Sequence, residues 1–167
     1  MIRFEKATRD DAKVLTEVST RTFDDDSRQH GRGPRGGPPG YDSVEWQIKI
    51  MKVGKYYKIL ADETIIGGLI VFPMGKAHYE LGRIYIAPEF QNQGIGAQAI
   101  RFIEQSYPTV KKWSLGTPCW ALRNQHFYEK MGYIKVGETP PEKDGEGFVG
   151  ILYQKNMSVQ DGQPPAG

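Results

Sequence analysis

The chain has 167 residues, a charged fraction of 25% and a formal net charge of +2 at pH 7. This length predicts a single domain with one hydrophobic core, and so small a charge, without a Lys/Arg stripe, argues against nucleic acid as a partner. The single cysteine, Cys119, excludes an internal disulfide framework.

Neither targeting nor membrane insertion is indicated. The first residues lack the apolar core of a signal peptide. The longest uncharged apolar-rich stretch, Thr64–Met74, is too short and too rich in glycine to span a bilayer. We therefore expect a cytoplasmic protein that does not associate with a membrane.

The N-terminal part of the chain predicts a strand followed by a helix. Residues 2–7 alternate apolar and polar side chains, which is typical of a strand. Thr8–Asp11 would cap the helix, whose small buried face is made of Ala12, Leu15, Val18 and Ser19. From Asp24 the periodicity ends, and the Gly- and Pro-rich segment Asp24–Tyr41 predicts a long loop.

The rest of the chain predicts alternating strands and helices. Asp42–Glu45 resembles a capping box for a second helix, with one face made of Val44, Ile48 and Met51. The predicted strands are Tyr56–Ala61, Thr64–Phe72 after a turn at Asp62-Glu63, His78–Ile86, Val110–Leu115, Tyr133–Glu138 and Phe148–Lys155. The predicted helices are Gly94–Tyr107 and Ala121–Met131, the latter ending at a left-handed Gly132. This order predicts an α/β fold with a mixed sheet flanked by helices, and a disordered tail from Ser158.

A glycine segment carries the strongest functional signal. After the strand that ends at Ile86 comes Gln91-x-x-Gly94-x-Gly96, and a helical pattern begins directly behind it. Backbone N–H groups at a helix start lack intrahelical partners and carry partial positive charge. Glycines let an anion approach these groups closely, so the segment predicts a phosphate-binding loop.

The phosphate loop has several interpretations. A Walker loop needs Lys-Ser or Lys-Thr after the glycines, and neither pair follows. A dinucleotide fingerprint fits Gly94, Gly96 and Ala99 formally, but Ser114-Leu115-Gly116 stands where an acidic residue is needed. The remaining interpretations are Q/R-x-x-G-x-G/A, a pyrophosphate loop, and an ordinary glycine turn that opens a helix.

A second motif separates these alternatives. Asn124 to Tyr133 contains Phe127-Tyr128-Glu129-Lys130-Met131-Gly132-Tyr133, a helix that ends at glycine and leads directly into a strand. Together, the two motifs resemble the GNAT acetyltransferases, in order and in spacing. The resemblance covers residues 1–156 and is most specific over 78–138.

The resemblance implies a fold and a co-substrate. The fold is a mixed, largely antiparallel sheet of six to seven strands with flanking helices and a central, splayed parallel pair, in a domain of residues 1–157. The co-substrate is acetyl-CoA. The family pattern implies that the phosphate loop binds the diphosphate of acetyl-CoA through residues Gln91, Asn92, Gln93, Gly94, Ile95, Gly96 and Ala97. It also implies that main-chain groups of Ile84, Tyr85 and Ile86 pair with the pantetheine arm of acetyl-CoA.

The chemistry of the reaction, together with the family pattern that the resemblance implies, indicates candidate catalytic residues. An alkyl amine has a pKa near 10 and needs a base. Glu80 is the leading candidate, with His78 and Tyr79 as alternatives that act through water. Tyr128 of the second motif is the candidate acid for the departing thiolate, or else only packs against the cofactor. The usual cofactor-binding Asn position holds Ala121, so Asn124 is expected to replace it or to face solvent.

Other residues carry weaker expectations. Thr117 and Trp120 are candidate pocket-wall residues, and Cys119 is expected to be a small buried hydrophobe. In the Asp24–Tyr41 loop, aspartates would attract a cationic amine and arginines an anionic group. His30 and His126 lack metal-ligand spacing, so no metal is expected.

The sequence thus favours an N-acetyltransferase that acts by direct attack in a ternary complex. Its acceptor would be a small-molecule or peptide amine, and a homodimer is possible. The competing hypotheses are a non-catalytic acyl-CoA-binding module of the same fold and a nicotinamide-dependent oxidoreductase.

Overall fold

The structure is a computed structural model that describes residues 1–141 and 149–157. In these residues the strands are β1 (Ile2–Lys6), β2 (Lys55–Ala61), β3 (Thr64–Gly75), β4 (His78–Ile86), β5 (Lys112–Pro118), β6 (Ile134–Thr139) and β7 (Gly150–Asn156). The helices are α1 (Ala12–Gln29), α2 (Val44–Val53), α3 (Ile95–Ser106) and α4 (Leu122–Lys130), with short 3₁₀ turns at Arg9–Asp11 and Pro88–Phe90.

All of these strands belong to one sheet, in the order β1-β2-β3-β4-β5-β7-β6. Antiparallel pairing joins β1 to β2, β2 to β3, β5 to β7 and β6 to β7, whereas β4 and β5 are parallel. The connection from β4 to β5 contains α3, because parallel neighbours need a long crossover. The predicted mixed, largely antiparallel α/β sheet is confirmed.

The chain divides into two compact units. The first unit is Met1–Phe72 with Gly82–Phe102, and the second is Pro73–Leu81 with Ile103–Gly167. The predicted single domain of residues 1–157 remains a prediction, and the expected tail from Ser158 lies outside the described residues, as does the predicted strand start at Phe148.

Two apolar clusters stabilise the first unit. One joins α1 to the sheet through Ala7, Leu15, Val18, Tyr56, Ile70, Tyr85 and Ala87. The other packs Ile95 of α3 against Ile59 and Ile66. The second unit has its own core, in which Trp113 and Tyr153 are almost completely buried.

Helix α1 is longer than the sequence predicts. Its expected buried residues are buried, but it continues through Asp24–Asp26 to Gln29. The following loop packs back on this last part, because the Asp24 carboxylate accepts hydrogen bonds from the Tyr41 hydroxyl (2.7 Å) and the Gly36 N–H (3.0 Å). Long-range contacts therefore extend a helix whose charged end has no apolar periodicity, and the predicted loop start at Asp24 is wrong.

Helix α2 buries a different face from the predicted one. Val44 is exposed and Gln47 is buried, while Trp46, Ile50 and Met51 pack against the core. The side chain of Ser43 caps this helix by accepting a hydrogen bond from the Trp46 N–H at 3.1 Å, so the expected reciprocal capping box is not formed by Glu45. The buried Gln47 is tolerated because its Oε1 accepts a hydrogen bond from the Tyr56 hydroxyl.

Later boundaries agree with the sequence to within a few residues. Strand β4 has the predicted bounds, and Gly132, with φ of 98°, ends α4 in the left-handed conformation as expected. Strand β5 begins later than predicted, since the Val110 N–H donates instead to the Tyr107 carbonyl in a turn.

Among the described residues, no helix combines the length and apolar character needed to cross a membrane.

Candidate active site

The glycine segment lies in the first unit, between β4 and α3. Asn92 and Gly94 have positive φ values of 63° and 80°, a conformation that glycine adopts without the usual steric penalty. A Cβ placed on Gly94 would meet no atom within 4 Å. The chain therefore turns sharply at Gly94, in open space, one residue before α3 begins.

The later backbone donors of this loop differ from the first one, the Gln91 N–H, which donates to the Pro88 carbonyl at 3.2 Å. Within residues 1–141 and 149–157, the N–H groups of residues 93–97 form no hydrogen bond, and the helical pattern starts with the Gln98 N–H donating to the Gly94 carbonyl at 3.2 Å. The positive end of the α3 dipole lies at the same place. Adjacent N–H donors at a helix start are suited to bind a diphosphate, so these residues fit the phosphate end of coenzyme A.

The glutamine side chains of the loop hold its backbone. Gln91 Nε2 donates to the Ile86 carbonyl at 2.9 Å, and Gln93 Nε2 donates to the Glu89 carbonyl at 3.2 Å. These amides are already engaged with the protein. Anion binding would therefore depend on main-chain donors rather than on the glutamine side chains.

Strand β4 precedes the loop. Its parallel pairing with β5 covers only His78, Tyr79 and Glu80, although β4 continues to Ile86. In the first unit the Tyr85 side chain is buried, and its hydroxyl lies 2.6 Å from that of Tyr56. Only main-chain groups of residues 84–86 therefore suit the predicted pairing with the pantetheine arm, and that assignment remains a prediction.

Tyr128 lies buried in the second unit, on α4. Its ring centroid is 5.2 Å from that of Phe127, 5.9 Å from that of Tyr133 and 6.4 Å from that of Tyr153. No hydrogen bond engages its hydroxyl among the residues that the structure describes. Burial alone raises the pKa of Tyr128 well above its usual value near 10, so the phenol keeps its proton at neutral pH and is able to donate it.

Asn124 lies one turn before Tyr128. Its Nδ2 is 3.5 Å from the hydroxyl of Thr117, which is buried on β5. Ala121, at the position where the family pattern has asparagine, is buried at the start of α4. The structure thus brings together two of the predicted polar groups, Asn124 and Thr117.

Glu80 lies on the paired part of β4, opposite Ser114 of β5. The side chain is half-buried, and in the described part of the chain its carboxylate has no hydrogen-bond donor. Such a carboxylate is available to accept a proton, directly or through water.

The alternatives to Glu80 differ in their surroundings. His78 Nε2 is 2.7 Å from the Ser114 hydroxyl. Burial and the nearby Lys112 lower the pKa of His78, against an opposing effect of Glu80, so its imidazole is mainly neutral at pH 7. The Tyr79 ring packs between those of Tyr107 and Trp113, at 4.9 Å and 5.5 Å. This packing favours a structural role for Tyr79.

The prediction for Cys119 is wrong. Cys119 is exposed, which corrects the expectation of a buried hydrophobe. Its N–H donates to the Val149 carbonyl at 2.8 Å, so the residue continues the pairing of β5 with β7 just beyond the end of β5. Among the described residues, no cluster of His, Cys, Asp and Glu could hold a metal ion.

Sequence analysis missed one residue, Arg83 of β4. Its guanidinium stacks on Trp46 at 4.2 Å from the ring centroid. The available signal was a single charged residue between Gly82 and Ile84, within an otherwise apolar part of the strand.

The comparisons with known proteins agree with this geometry. The family described as "Acetyltransferase (GNAT) domain" matches residues 53–135, which include both motifs. The uncharacterized protein YrkN of Bacillus subtilis (strain 168) is 38% identical over 79 residues, which are 46% of this chain and 43% of YrkN. The match thus spans less than half the length of this relative.

Two solved structures share the fold. The PaiA N-acetyltransferase of Thermoplasma acidophilum, in complex with coenzyme A, aligns with a TM-score of 0.74 and 17% identity over 94% of this chain and 99% of its own. The ribosomal-protein-S18-alanine N-acetyltransferase of Escherichia coli aligns with a TM-score of 0.76 and 14% identity over 95% and 96%. With the two sequence motifs, the sheet order and the matched domain, these findings show that the chain belongs to the GNAT acetyltransferase family.

Proposed function

We propose that this protein is an acetyl-CoA-dependent N-acetyltransferase that transfers the acetyl group to an amine by direct attack in a ternary complex. The main support is the row of unpaired N–H donors at residues 93–97, at the start of α3. The Thermoplasma relative is an N-acetyltransferase bound to coenzyme A, and the Escherichia coli relative acts on alanine of a ribosomal protein. Both are consistent with an amine acceptor.

In this proposal the co-substrate is held by main-chain groups. The N–H groups of residues 93–97 bind the diphosphate, and the main chain of residues 84–86 pairs with the pantetheine amides. Asn124 is a further candidate contact. Because the loop offers no free Lys or Arg, affinity depends on the backbone geometry of the loop more than on side-chain charge.

Glu80 acts as the general base. The acceptor ammonium loses a proton to its carboxylate, directly or through water, and the free amine nitrogen attacks the thioester carbonyl carbon. The half-buried carboxylate without a donor supports this role. General-base assistance contributes typically about 10²–10⁴-fold.

Tyr128 acts as the general acid. When the C–S bond breaks, the electron pair stays on sulfur and the Tyr128 hydroxyl gives the thiolate its proton, to be replaced later from solvent. A thiol of pKa about 8.5 is a modest leaving group, so this assistance is useful without being essential. Burial raises the pKa of Tyr128, so the phenol is still protonated when the thiolate forms.

The test measures acetyl-CoA-dependent thiol release across a panel of amines, with acetyl-CoA binding followed separately by calorimetry. Transfer to at least one amine, reduced in Glu80→Gln and Tyr128→Phe with unchanged acetyl-CoA affinity, supports the proposal. Full activity in both variants would overturn the two catalytic roles.

Two other outcomes identify the competing functions. Tight acetyl-CoA binding without transfer to any amine would favour the non-catalytic acyl-CoA-binding module. An oxidoreductase would be favoured only if NAD(P)H, and not coenzyme A, raised the melting temperature. The cytoplasmic location and a homodimer remain predictions.

A further inference from the structure

Arg83 is a half-buried cation that the proposed reaction does not use. It lies in the first unit, on β4, and three segments hold it in place. Its guanidinium carbon is 4.2 Å from the ring centroid of Trp46 on α2 and 6.0 Å from that of Phe23 on α1. Nη2 donates a hydrogen bond to the Pro39 carbonyl of the intervening loop at 3.1 Å.

The guanidinium is only partly satisfied. Nη1 is buried and has no hydrogen-bond partner among the described residues. Burial lowers the pKa of Arg83, and the groups that oppose this effect are the phenols of Tyr56 and Tyr85 rather than a carboxylate. A buried charged donor without a partner costs free energy unless something else supplies the missing acceptor.

Four other cations of the first unit are different, because they contact carboxylates. These ion pairs are Arg3 with Glu5, Arg21 with Glu89, Arg28 with Asp25 and Lys58 with Asp11. Arg83 has no such ion pair within residues 1–141 and 149–157.

The carboxylate of Asp24, in the last part of α1, is already engaged. Asp24 accepts hydrogen bonds from Tyr41 and from the Gly36 N–H. The loop is also tightly packed: a Cβ on Gly37 would lie 2.8 Å from Phe23, and one on Gly40 would lie 2.1 Å from Trp46. This packing holds the two rings beside Arg83, and no carboxylate of the described residues forms an ion pair with it.

We propose that Arg83 binds a carboxylate of the acceptor, so that the substrate class is an amine that also carries a carboxylate. The carboxylate takes Nη1 and replaces the Pro39 carbonyl on Nη2, which gives the bidentate geometry that guanidinium and carboxylate prefer. The inference rests on the proposed N-acetyltransferase activity and adds the acceptor's chemistry to it.

The experiment compares matched acceptors. 6-Aminohexanoate and L-leucine are each paired with the corresponding carboxamide, and an aminoalkylphosphonate tests whether a tetrahedral anion serves better. The kcat/KM ratio of acid to carboxamide is measured in the wild type, Arg83→Met and Arg83→Lys. Differences in amine basicity cancel, because each ratio is compared between proteins.

The wild type is expected to favour at least one acid over its carboxamide, and Arg83→Met should lower that ratio by about tenfold to a hundredfold, the usual value of a charge-assisted hydrogen bond. Arg83→Lys should keep part of the preference. Arg9→Met removes an exposed arginine of the same unit and should leave the ratio unchanged.

Other results would overturn the inference. These are an unchanged ratio in Arg83→Met, an equal loss for acid and carboxamide, or a stronger preference for the phosphonate. If the melting temperature shows that Arg83→Met is too unstable to assay, the acid-to-carboxamide ratio of kcat/KM is compared between the wild type and Arg83→Lys. An unchanged ratio in Arg83→Lys would then overturn the inference.

Failure of the proposed function can be recognised separately. Calorimetry measures 6-aminohexanoate binding to the protein saturated with coenzyme A. If no acceptor is acetylated, the proposed function fails, whereas tighter binding by the wild type than by Arg83→Lys would still support a carboxylate site at Arg83. Equal binding by both proteins would overturn that site.

Discussion

The two units of the chain carry different kinds of chemical group. The first unit contains donors that are suited to anions, namely the Arg83 guanidinium and the N–H groups of residues 93–97, which have no partner in the part of the chain that the structure describes. The second contains the two groups that are proposed to transfer protons, Glu80 and the buried Tyr128. The difference indicates that binding and proton transfer depend on different parts of the sequence, so their variants should change different kinetic constants.

The largest expected effect comes from Glu80→Gln in the second unit. Gln has nearly the same shape but cannot accept the amine proton at neutral pH, so kcat should fall by about a hundredfold or more. The dissociation constant of acetyl-CoA, measured by calorimetry, should stay the same.

The matched control is Glu45→Gln, an exposed glutamate near the start of α2 in the first unit. It removes the same charge and should leave kcat unchanged. A comparable loss in the control, or none in Glu80→Gln, would exclude Glu80 as the base.

The next largest effect is expected from Gly94→Val in the first unit. Valine is strained at the φ of 80° that Gly94 adopts, and a strain of about 1–3 kcal/mol would distort the loop. The dissociation constant of acetyl-CoA should therefore rise by about tenfold to a hundredfold, as measured by calorimetry.

Gly75→Val separates backbone strain from ligand binding. Gly75 has a φ of 87°, and a Cβ there also meets no atom within 4 Å. This variant should lose similar stability and keep its affinity for acetyl-CoA. Equal affinities in the two variants would contradict the assignment of the loop.

Tyr128→Phe should have a smaller effect, since it removes only the proton donor and keeps the ring contacts. We expect kcat to fall by about tenfold. Burial raises the pKa of Tyr128 above its ordinary value, so the acid stays protonated as the pH rises from 7 to 9. The wild-type kcat should therefore not decline in that range through loss of this proton.

Tyr133→Phe is the control for this prediction. The Tyr133 hydroxyl is also buried and has no partner among the described residues, yet no catalytic role is proposed for it. Its removal should leave kcat unchanged. An equal loss in both variants would show that packing of the rings, rather than proton donation, determines the rate.

The smallest effect concerns stability of the first unit. Ser43→Ala removes the side chain that accepts the Trp46 N–H at the start of α2, and loss of such a cap costs about 1 kcal/mol. Denaturant unfolding should show this loss, while kcat with carboxamide acceptors stays constant. Ser106→Ala, at the exposed end of α3, should change neither the free energy of unfolding nor kcat. A drop in kcat in Ser43→Ala would instead show that the stability of the first unit affects the catalytic groups proposed in the second.

Much of the fold could be predicted because its signals are local. The alternation of β4, the apolar period of α3 and the glycine at residue 132 each depend on neighbours within a few residues. The errors occurred where distant contacts decide. Helix α1 passes Asp24 because Tyr41 and Gly36 bind that carboxylate, and α2 buries Gln47 because Tyr56 supplies a hydrogen bond.

The candidate site shows the same division. The glycine loop was recognisable because a sharp turn with free N–H groups is encoded by the glycines themselves. Arg83 was not, because its burial depends on Phe23, Pro39 and Trp46, which lie 37 or more residues away along the chain. The exposure of Cys119 was not predicted either, because it depends on which segments surround the end of β5.

By itself, the sequence determined the order of strands and helices, the glycine turn directly before α3 and the family. These follow from backbone preferences and from side-chain periodicity, which act over short distances. Only the tertiary structure decided which charges are paired, which tyrosines are buried and where α1 ends. Pairing and burial depend on what other segments bring to the same place, and a local pattern does not specify that.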